Sequence, residues 1–301
     1  MNNTIEISVV VITYNQQDCI TKALDSLTCQ KEWIHEIVIS DDCSKDNSLR
    51  VLQSFAIPEL IVHHLDAHAG VGAARNKALE IAKGDWILFV DADDYVEDNY
   101  IVAIEKAIAE HPDVQIISFG SNSPYGAYLY ASLWAKVYRR DILPKRGFAR
   151  YAHGEDRLYL AEAIGNASKI IRIEDSLYCY QPHKDSATAA KRDLNWIRET
   201  INCNLEMLHL SRGAIRTFPS RYFHDIAVWI LEVCAVEINR LPVNDCVVAE
   251  SEWRMMLPEI FRCSRFPWWH RFVAYMCFLF ADPFVLCLCR LPYKLKQAVK
   301  S

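Results

Sequence analysis

The sequence contains no Cys-x-x-Cys pair, and its eleven cysteines are scattered, with Cys287 and Cys289 the sole close pair. Neither a zinc site nor a disulfide framework is indicated, and free thiols in a reducing compartment are the expected state. No basic stretch precedes the first apolar run, and Ile7 to Ile12 is too short for a secretory signal. A cytosolic protein is expected. The histidines show no metal-ligand spacing, and internal repeats and low-complexity linkers are lacking. Positive charge is not in excess: 33 Lys/Arg against 38 Asp/Glu give −5, which argues against nucleic acid as a partner.

What is present is a foldable composition. The 301 residues are 51% hydrophobic and 24% charged, with a mean hydropathy of −0.01, ample for a buried core. The charge is uneven. From Arg262 onward seven Lys/Arg face one acid, Asp282, giving +6; the first 261 residues carry 26 bases against 37 acids, giving −11.

Hydrophobic patterning predicts alternating strands and helices. Ile7 to Ile12 is β-branched and nearly continuous, as a strand buried on both faces requires. Helical spacing follows over Asp18 to Gln30. A second strand, Glu36 to Ser40, runs into Asp41-Asp42-Cys43-Ser44, where Ser44 is placed to cap a helix reaching about Phe55. A third strand is expected at Leu60 to His64 and a helix at Ala73 to Lys83, with Gly84 placed to stop it. Trp86 to Val90 is a fourth strand that delivers Asp91-Ala92-Asp93-Asp94. A helix near Asn99 to Glu110 and a strand near Val114 to Phe119 complete the series. Such alternation implies right-handed crossovers and an open, mainly parallel α/β sheet, with ligands beyond the strands' carboxyl ends. Both acidic clusters fall there. After about residue 190 the pattern turns helical, with Leu194 to Leu210, Arg221 to Arg240 and the tail. The expected division is 1–190, an α/β domain; 191–261, a helical extension; and 262–301, a basic aromatic tail.

Three carboxylates within four residues repel one another unless a cation or a solvated turn relieves them. Asp91 and Asp93 share one side of an extended segment, and a hard ion such as Mg2+ or Mn2+ takes carboxylate oxygens while leaving room for phosphate. An acidic turn capping the next helix is the competing explanation.

The cluster has company. Val11-Ile-Thr-Tyr14-Asn15, Ser40-Asp41-Asp42-Cys43-Ser44, Gly70-Val-Gly-Ala-Ala-Arg75-Asn76 and Asp91-Ala-Asp93 occur in order over roughly residues 5 to 180. Together they resemble the family 2 glycosyltransferases, of GT-A fold, which use nucleotide-sugar donors. The resemblance implies that Tyr14 and Asn15 hold the nucleobase and that Asp42 accepts a hydrogen bond from it. Arg75 lies near the donor, offsetting diphosphate or pairing with aspartates. Asp93 is implied as direct metal ligand, with Asp91 toward ribose. His153-Gly-Glu155-Asp156-Arg-Leu-Tyr159 resembles the family's Glu-Asp motif, with Asp156 as general base and Glu155 in support. Without the resemblance, acids at a helix N-terminus would explain that pair. Trp134-Ala-Lys136-Val-Tyr-Arg-Arg140 is similar to a further family segment. It offers Trp134 for a sugar face and Lys136 for phosphate, against packing and surface solvation.

The implied chemistry is inverting transfer of a hexose-type sugar from a nucleotide-diphosphate donor, UDP by the family's habit, to a hydroxyl of a glycan or a polyprenyl-diphosphate-linked acceptor. A nucleotidyltransferase is the competing enzyme class, but a basic glycine-rich loop after the first strand is replaced here by Tyr14-Asn15-Gln16-Gln17. A non-catalytic sugar-nucleotide-binding module is the third reading. In the tail, Phe272 to Ala281 and Phe284 to Cys289 are apolar but split by Asp282-Pro283, too short to span a bilayer at ~20 residues. Flanking bases and aromatics suit an interfacial segment on an anionic leaflet. A peripheral enzyme on the inner face of the cell membrane is expected; packing on the domain or a homodimer contact are the alternatives.

Overall fold

Alternation along β1 (Ile7–Thr13) and β4 (Trp86–Asp91) sorts the core into two halves. Ile7, Val9, Val11, Trp86, Leu88 and Val90 face one side of the sheet, and Val10, Ile87 and Phe89 face the other. Each half is closed by helices presenting an apolar stripe. On the first side lie α1 (Ile20–Thr28), α2 (Ser48–Ser54) and α4 (Tyr100–Glu110), through Leu24, Leu52 and Ile104. On the second lie α3 (Val71–Ile81) and α5 (Glu155–Asn166), through Ala78 and Leu160. The computed structural model describes residues 5–122, 132–151, 153–182, 192–212 and 240–262, with single positions at 226, 237, 238, 271 and 274.

The remaining strands are β2 (Glu36–Asp41), β3 (Leu60–His64), β5 (Tyr95–Val96), β6 (Ile116–Ser121), β7 (Lys136–Arg139) and β8 (Ile170–Cys179). Their order is β3-β2-β1-β4-β7-β6-β8-β5. The β3-β2-β1-β4 half is parallel, as expected. Beyond β4 the sheet departs from the alternation. β7 runs antiparallel to β4 and β6, while β8 is parallel to β6 and antiparallel to β5. Because β7 is reversed, its first residues stand beside the last residues of β4, and β6 and β8 end on the same edge. That edge gathers the polar motifs.

Two local expectations are corrected. Gly84 does not end α3, which stops at Ile81. The glycine lies against β1, and a Cβ there would stand 2.7 Å from the Glu6 carbonyl oxygen and 2.7 Å from the Ser8 nitrogen. Its amide donates to Ser8 Oγ at 2.7 Å, and Ser8 Oγ donates to Glu36 Oε1 at 2.7 Å, a buried knot joining three segments. Gly84→Ala is therefore expected to cost about 1–3 kcal/mol by overpacking, read as a fall in Tm by thermal melting. An unchanged Tm would show that the loop can back away from β1. Ser44, for its part, does not cap α2. Asn47 flanks that helix, and Ser44 serves the site instead.

The chain divides into two compact units, Met1–Ser186 and Ala187–Ser301. In the second, α6 (Leu194–Arg212) and α7 (Val243–Phe261) are joined by Arg198, whose Nη2 lies 2.5 Å from Glu252 Oε1, and Trp253 of α7 is fully buried. The predicted helix Arg221 to Arg240 and the tail from Arg262 lie almost wholly outside the described residues. Among the described residues, no helix is long and apolar enough to cross a membrane.

Candidate active site

The loops after β1 and β2 are locked to each other. The Asn15 amide donates to Ser44 Oγ at 2.9 Å, and Asn15 Oδ1 accepts from the Lys45 amide at 2.7 Å. Asn15 and Cys43 both adopt left-handed backbone, with φ of 53° and 61°, an unfavourable state for non-glycine residues that the cross-loop bonds hold. Ser44 Oγ in turn donates to Asp41 Oδ1 at 2.5 Å, and His64 Nδ1 reaches Asp41 Oδ2 at 2.7 Å. Asp42 is buried, with Oδ1 accepting from the Ala69 amide at 2.7 Å and Oδ2 from the Gly70 amide at 2.9 Å. It thus pins the start of α3 to the end of β2. His68 Nδ1 approaches Asp42 Oδ2 at 2.9 Å, and its ring stacks on Tyr14 with centroids 4.3 Å apart. Tyr14 and Asp42 are thereby brought to one place, both in contact with the half-exposed His68 ring.

The strand-four acids form the second cluster. Ligand oxygens of Asp91, Asp93 and Asp94 lie within 4.8 Å of one another. Asp94 faces inward: Oδ2 accepts from the Tyr178 hydroxyl at 2.8 Å and Oδ1 from the Gln181 amide at 2.8 Å. The Asp91 amide donates back to the Tyr178 oxygen at 3.2 Å, so β8 fixes the turn. Burial pushes the Asp91 carboxyl up to about 6, against the pull of Arg75, with Asp93 and Asp156 adding to the rise. Burial, then Asp91, pushes Asp94 up to about 8. Oxygen-only donors crowded to this degree suit a hard divalent cation, whose charge would relieve the repulsion.

Arg75 joins this cluster to the third. Its Nη1 donates to Glu155 Oε1 at 2.6 Å, and its Nη2 stands 3.6 Å from Asp91 Oδ1. Asn76 pairs with both backbone groups of Phe148, whose ring stacks on Tyr159 at 3.8 Å, so the Ala-Arg-Asn segment seats the chain leading into α5. Gly154 precedes that helix with φ 89°, a turn that glycine makes freely. Glu155 and Asp156 occupy its first turn, where the helix dipole favours anions. Burial pushes Glu155 up to about 7, with Asp156 adding and Arg75 opposing. Asp156 is half-buried, and its charge reaches both Asp91 and Glu155.

Of the two expected acceptor residues, one lies inside the protein and the other in an aromatic row. Lys136 is not on the surface: it is fully buried, with Nζ donating to the Ser132 carbonyl oxygen at 2.5 Å, so it does not extend toward a solvent-borne phosphate. Burial lowers its ammonium to about 7, assisted by Arg172 and opposed by Asp156. Trp134 stacks on Tyr178 at 4.9 Å and on Tyr180 at 6.0 Å, an aromatic row on the same sheet edge. His68 and Tyr178 escape the sequence reading, which places Asp94 in the acidic cluster without a role of its own. His68 follows the end of β3, where the strand-end rule could have singled it out; Tyr178 lies on a strand beyond the alternating series.

A sheet with nucleotide-type loops after its first two strands and an Asp-x-Asp turn after the fourth has the architecture of a GT-A glycosyltransferase. The glycosyl transferase family 2 pattern matches residues 8–164, more than half of the chain, and the protein belongs to that family. Among curated relatives, Staphylococcus aureus TarS, a poly(ribitol-phosphate) β-N-acetylglucosaminyltransferase, is 29% identical over 252 residues, covering 72% of this chain and 44% of TarS. The chain thus spans less than half the length of that relative. Escherichia coli YibD, a glycosyltransferase, is 28% identical over 279 residues, covering 78% of this chain and 80% of YibD. Among solved structures, TarS 1–349 with UDP-GlcNAc superposes with a TM-score of 0.72 at 20% identity, covering 91% of this chain and 87% of that one. A Pyrobaculum calidifontis mannosyltransferase with GDP-Man and Mn2+ gives 0.56 at 18% identity, covering 92% and 87%.

Proposed function

We propose that this glycosyltransferase moves a hexose-type sugar, with inversion, from a UDP-linked donor to a hydroxyl of a glycan or lipid-linked acceptor. The observation that carries the reading is the Arg75 guanidinium, set between Asp91 and Glu155. It draws the acids after β4 and the acids opening α5 around one cleft. Tyr14 offers the nucleobase a ring face, with the Asp42 carboxylate behind it. The UDP-GlcNAc carried by TarS supports uracil as the base.

Asp91 and Asp93 would hold the divalent cation, with Asp94 behind them. When bound, Mn2+ or Mg2+ supplies Lewis-acid relief of the charge on the diphosphate; the Mn2+ of the Pyrobaculum enzyme supports that choice. Asp156 takes the proton of the acceptor hydroxyl as its oxygen attacks the anomeric carbon from the face opposite the diphosphate. The bond from that carbon to the diphosphate oxygen breaks, and the electron pair leaves with the nucleotide. Glu155 stays on Arg75, fixing the first turn of α5 and so the place of Asp156. The Trp134 and Tyr180 rings supply an apolar edge for a sugar face. The basic aromatic segment 262–301 supports work at the inner membrane face on a lipid-linked acceptor.

A panel of UDP-, GDP- and CDP-sugars, assayed for transfer or hydrolysis with Mn2+ and again with a chelator, tests this. The expected outcome is turnover of a UDP-sugar that chelation abolishes and added Mn2+ restores. Equal turnover in chelator would remove the metal from the reading; turnover confined to another nucleotide would remove UDP.

A further inference from the structure

We propose that the His68 imidazole is a built-in stand-in for the nucleobase, seated on Tyr14 and Asp42 until the donor's base displaces it. This rests on the nucleotide reading above and adds an exchange step which that reading does not contain.

Three observations converge. The imidazole lies over the Tyr14 ring with centroids 4.3 Å apart and planes 26° from parallel. At that separation two rings are in contact, and no third plane fits between them. Nδ1 also stands 2.9 Å from Asp42 Oδ2 and hydrogen-bonds the Asp42 carbonyl oxygen at 3.3 Å, and because both oxygens only accept, that nitrogen is the one that donates. Each Asp42 carboxylate oxygen also accepts one loop amide, Ala69 on Oδ1 and Gly70 on Oδ2, which leaves acceptor capacity for a further N–H. The arrangement is a planar ring, stacked on an aromatic face, with one ring nitrogen turned to a buried carboxylate and its own backbone carbonyl. Uracil offers the same set through its single ring N–H. Finally, the His68 side chain is 54% exposed whereas Asp42 is 2% exposed. The imidazole can therefore turn out to solvent at rotamer cost, while the carboxylate beside it stays fixed by the loop amides.

The competing arrangement has a different energetic sign. If His68 stayed in place and the base stacked on its outer face, the imidazole would contribute contact, and removing it would weaken binding. If the imidazole must leave, removing it raises apparent affinity. A binding-competent state populated only in part lowers affinity by that fraction, so a seat filled nine times in ten costs ~10-fold.

Calorimetric titration of the full chain with UDP in Mn2+ decides between them, using wild type, His68→Ala, Tyr14→Ala and Asp42→Asn. Inorganic pyrophosphate with Mn2+ serves as the ligand without a base. We expect His68→Ala to bind UDP ~3- to 10-fold more tightly, with pyrophosphate unchanged. UDP binding that is equal or weaker in His68→Ala overturns the exchange, as does equal tightening of pyrophosphate. Failure of the nucleotide reading looks different. In that case Tyr14→Ala and Asp42→Asn leave UDP affinity unchanged, or no form binds UDP, and the exchange falls with it.

Discussion

Asp156→Asn is expected to lower sugar transfer by ~10²- to 10⁴-fold, the usual contribution of a general base, while UDP affinity stays within about twofold. Asparagine keeps the shape and the Oδ1 that accepts from the Arg157 amide at 2.7 Å, but it cannot take a proton. The fold should therefore persist. Glu155→Gln is the informative companion, because Glu155 holds Arg75 at 2.6 Å whereas Asp156 is only half-buried. Loss at Glu155 should lower Tm together with activity; loss at Asp156 should lower activity alone. Steady-state kinetics with a UDP-sugar and thermal melting on the same preparations separate the two. Retained turnover in Asp156→Asn removes it as the base.

The second large effect is expected at Arg75. Its guanidinium is buried, beside the 5%-exposed Glu155 and within 3.6 Å of Asp91. Arg75→Met leaves both acids without their cation, and breaking a buried pair of this kind costs about 3–5 kcal/mol. A fall in Tm of ~6–20 °C follows from ~2–4 °C per kcal/mol in a chain of this size. The loss should grow with pH. Glu155 sits at about 7 in the folded protein, above its unfolded value of 4.5, with Arg75 restraining the rise. A carboxyl raised on folding keeps its proton while the unfolded chain releases one, so stability declines between about 4.5 and 7. Removing Arg75 raises Glu155 further and extends that decline upward. At pH 5 both forms are mostly protonated at this site, and the wild type and Arg75→Met should differ least; at pH 8 they should differ most. A difference in Tm that is flat between pH 5 and pH 8 would place the role of Arg75 outside this pairing.

Residue patterns carry the parallel half of the sheet well. The strand Leu60–His64 coincides with its sequence reading, and β1, β2 and β4 extend theirs by one residue each. Branched apolar runs dictate extended backbone locally, and acids at such strand ends land on the ligand edge by topology. The half beyond β4 was less legible. β7 and β8 are short or half-exposed, and their places depend on pairing with β6 and β5. Lys136 shows the same limit: the sequence leaves phosphate contact, packing and surface solvation open, and the folded chain buries the side chain completely.

The sequence by itself determined the alternation, the strand-end acids and the family, since each follows from local spacing and ordered motifs. Tertiary structure alone decided that Arg75 spans Asp91 and Glu155, that Tyr178 turns Asp94 inward, and that His68 meets both Tyr14 and Asp42. The physical reason is separation along the chain. Arg75 and Glu155 lie 80 positions apart, and side chains so distant meet only through the crossovers and strand registers of the completed sheet.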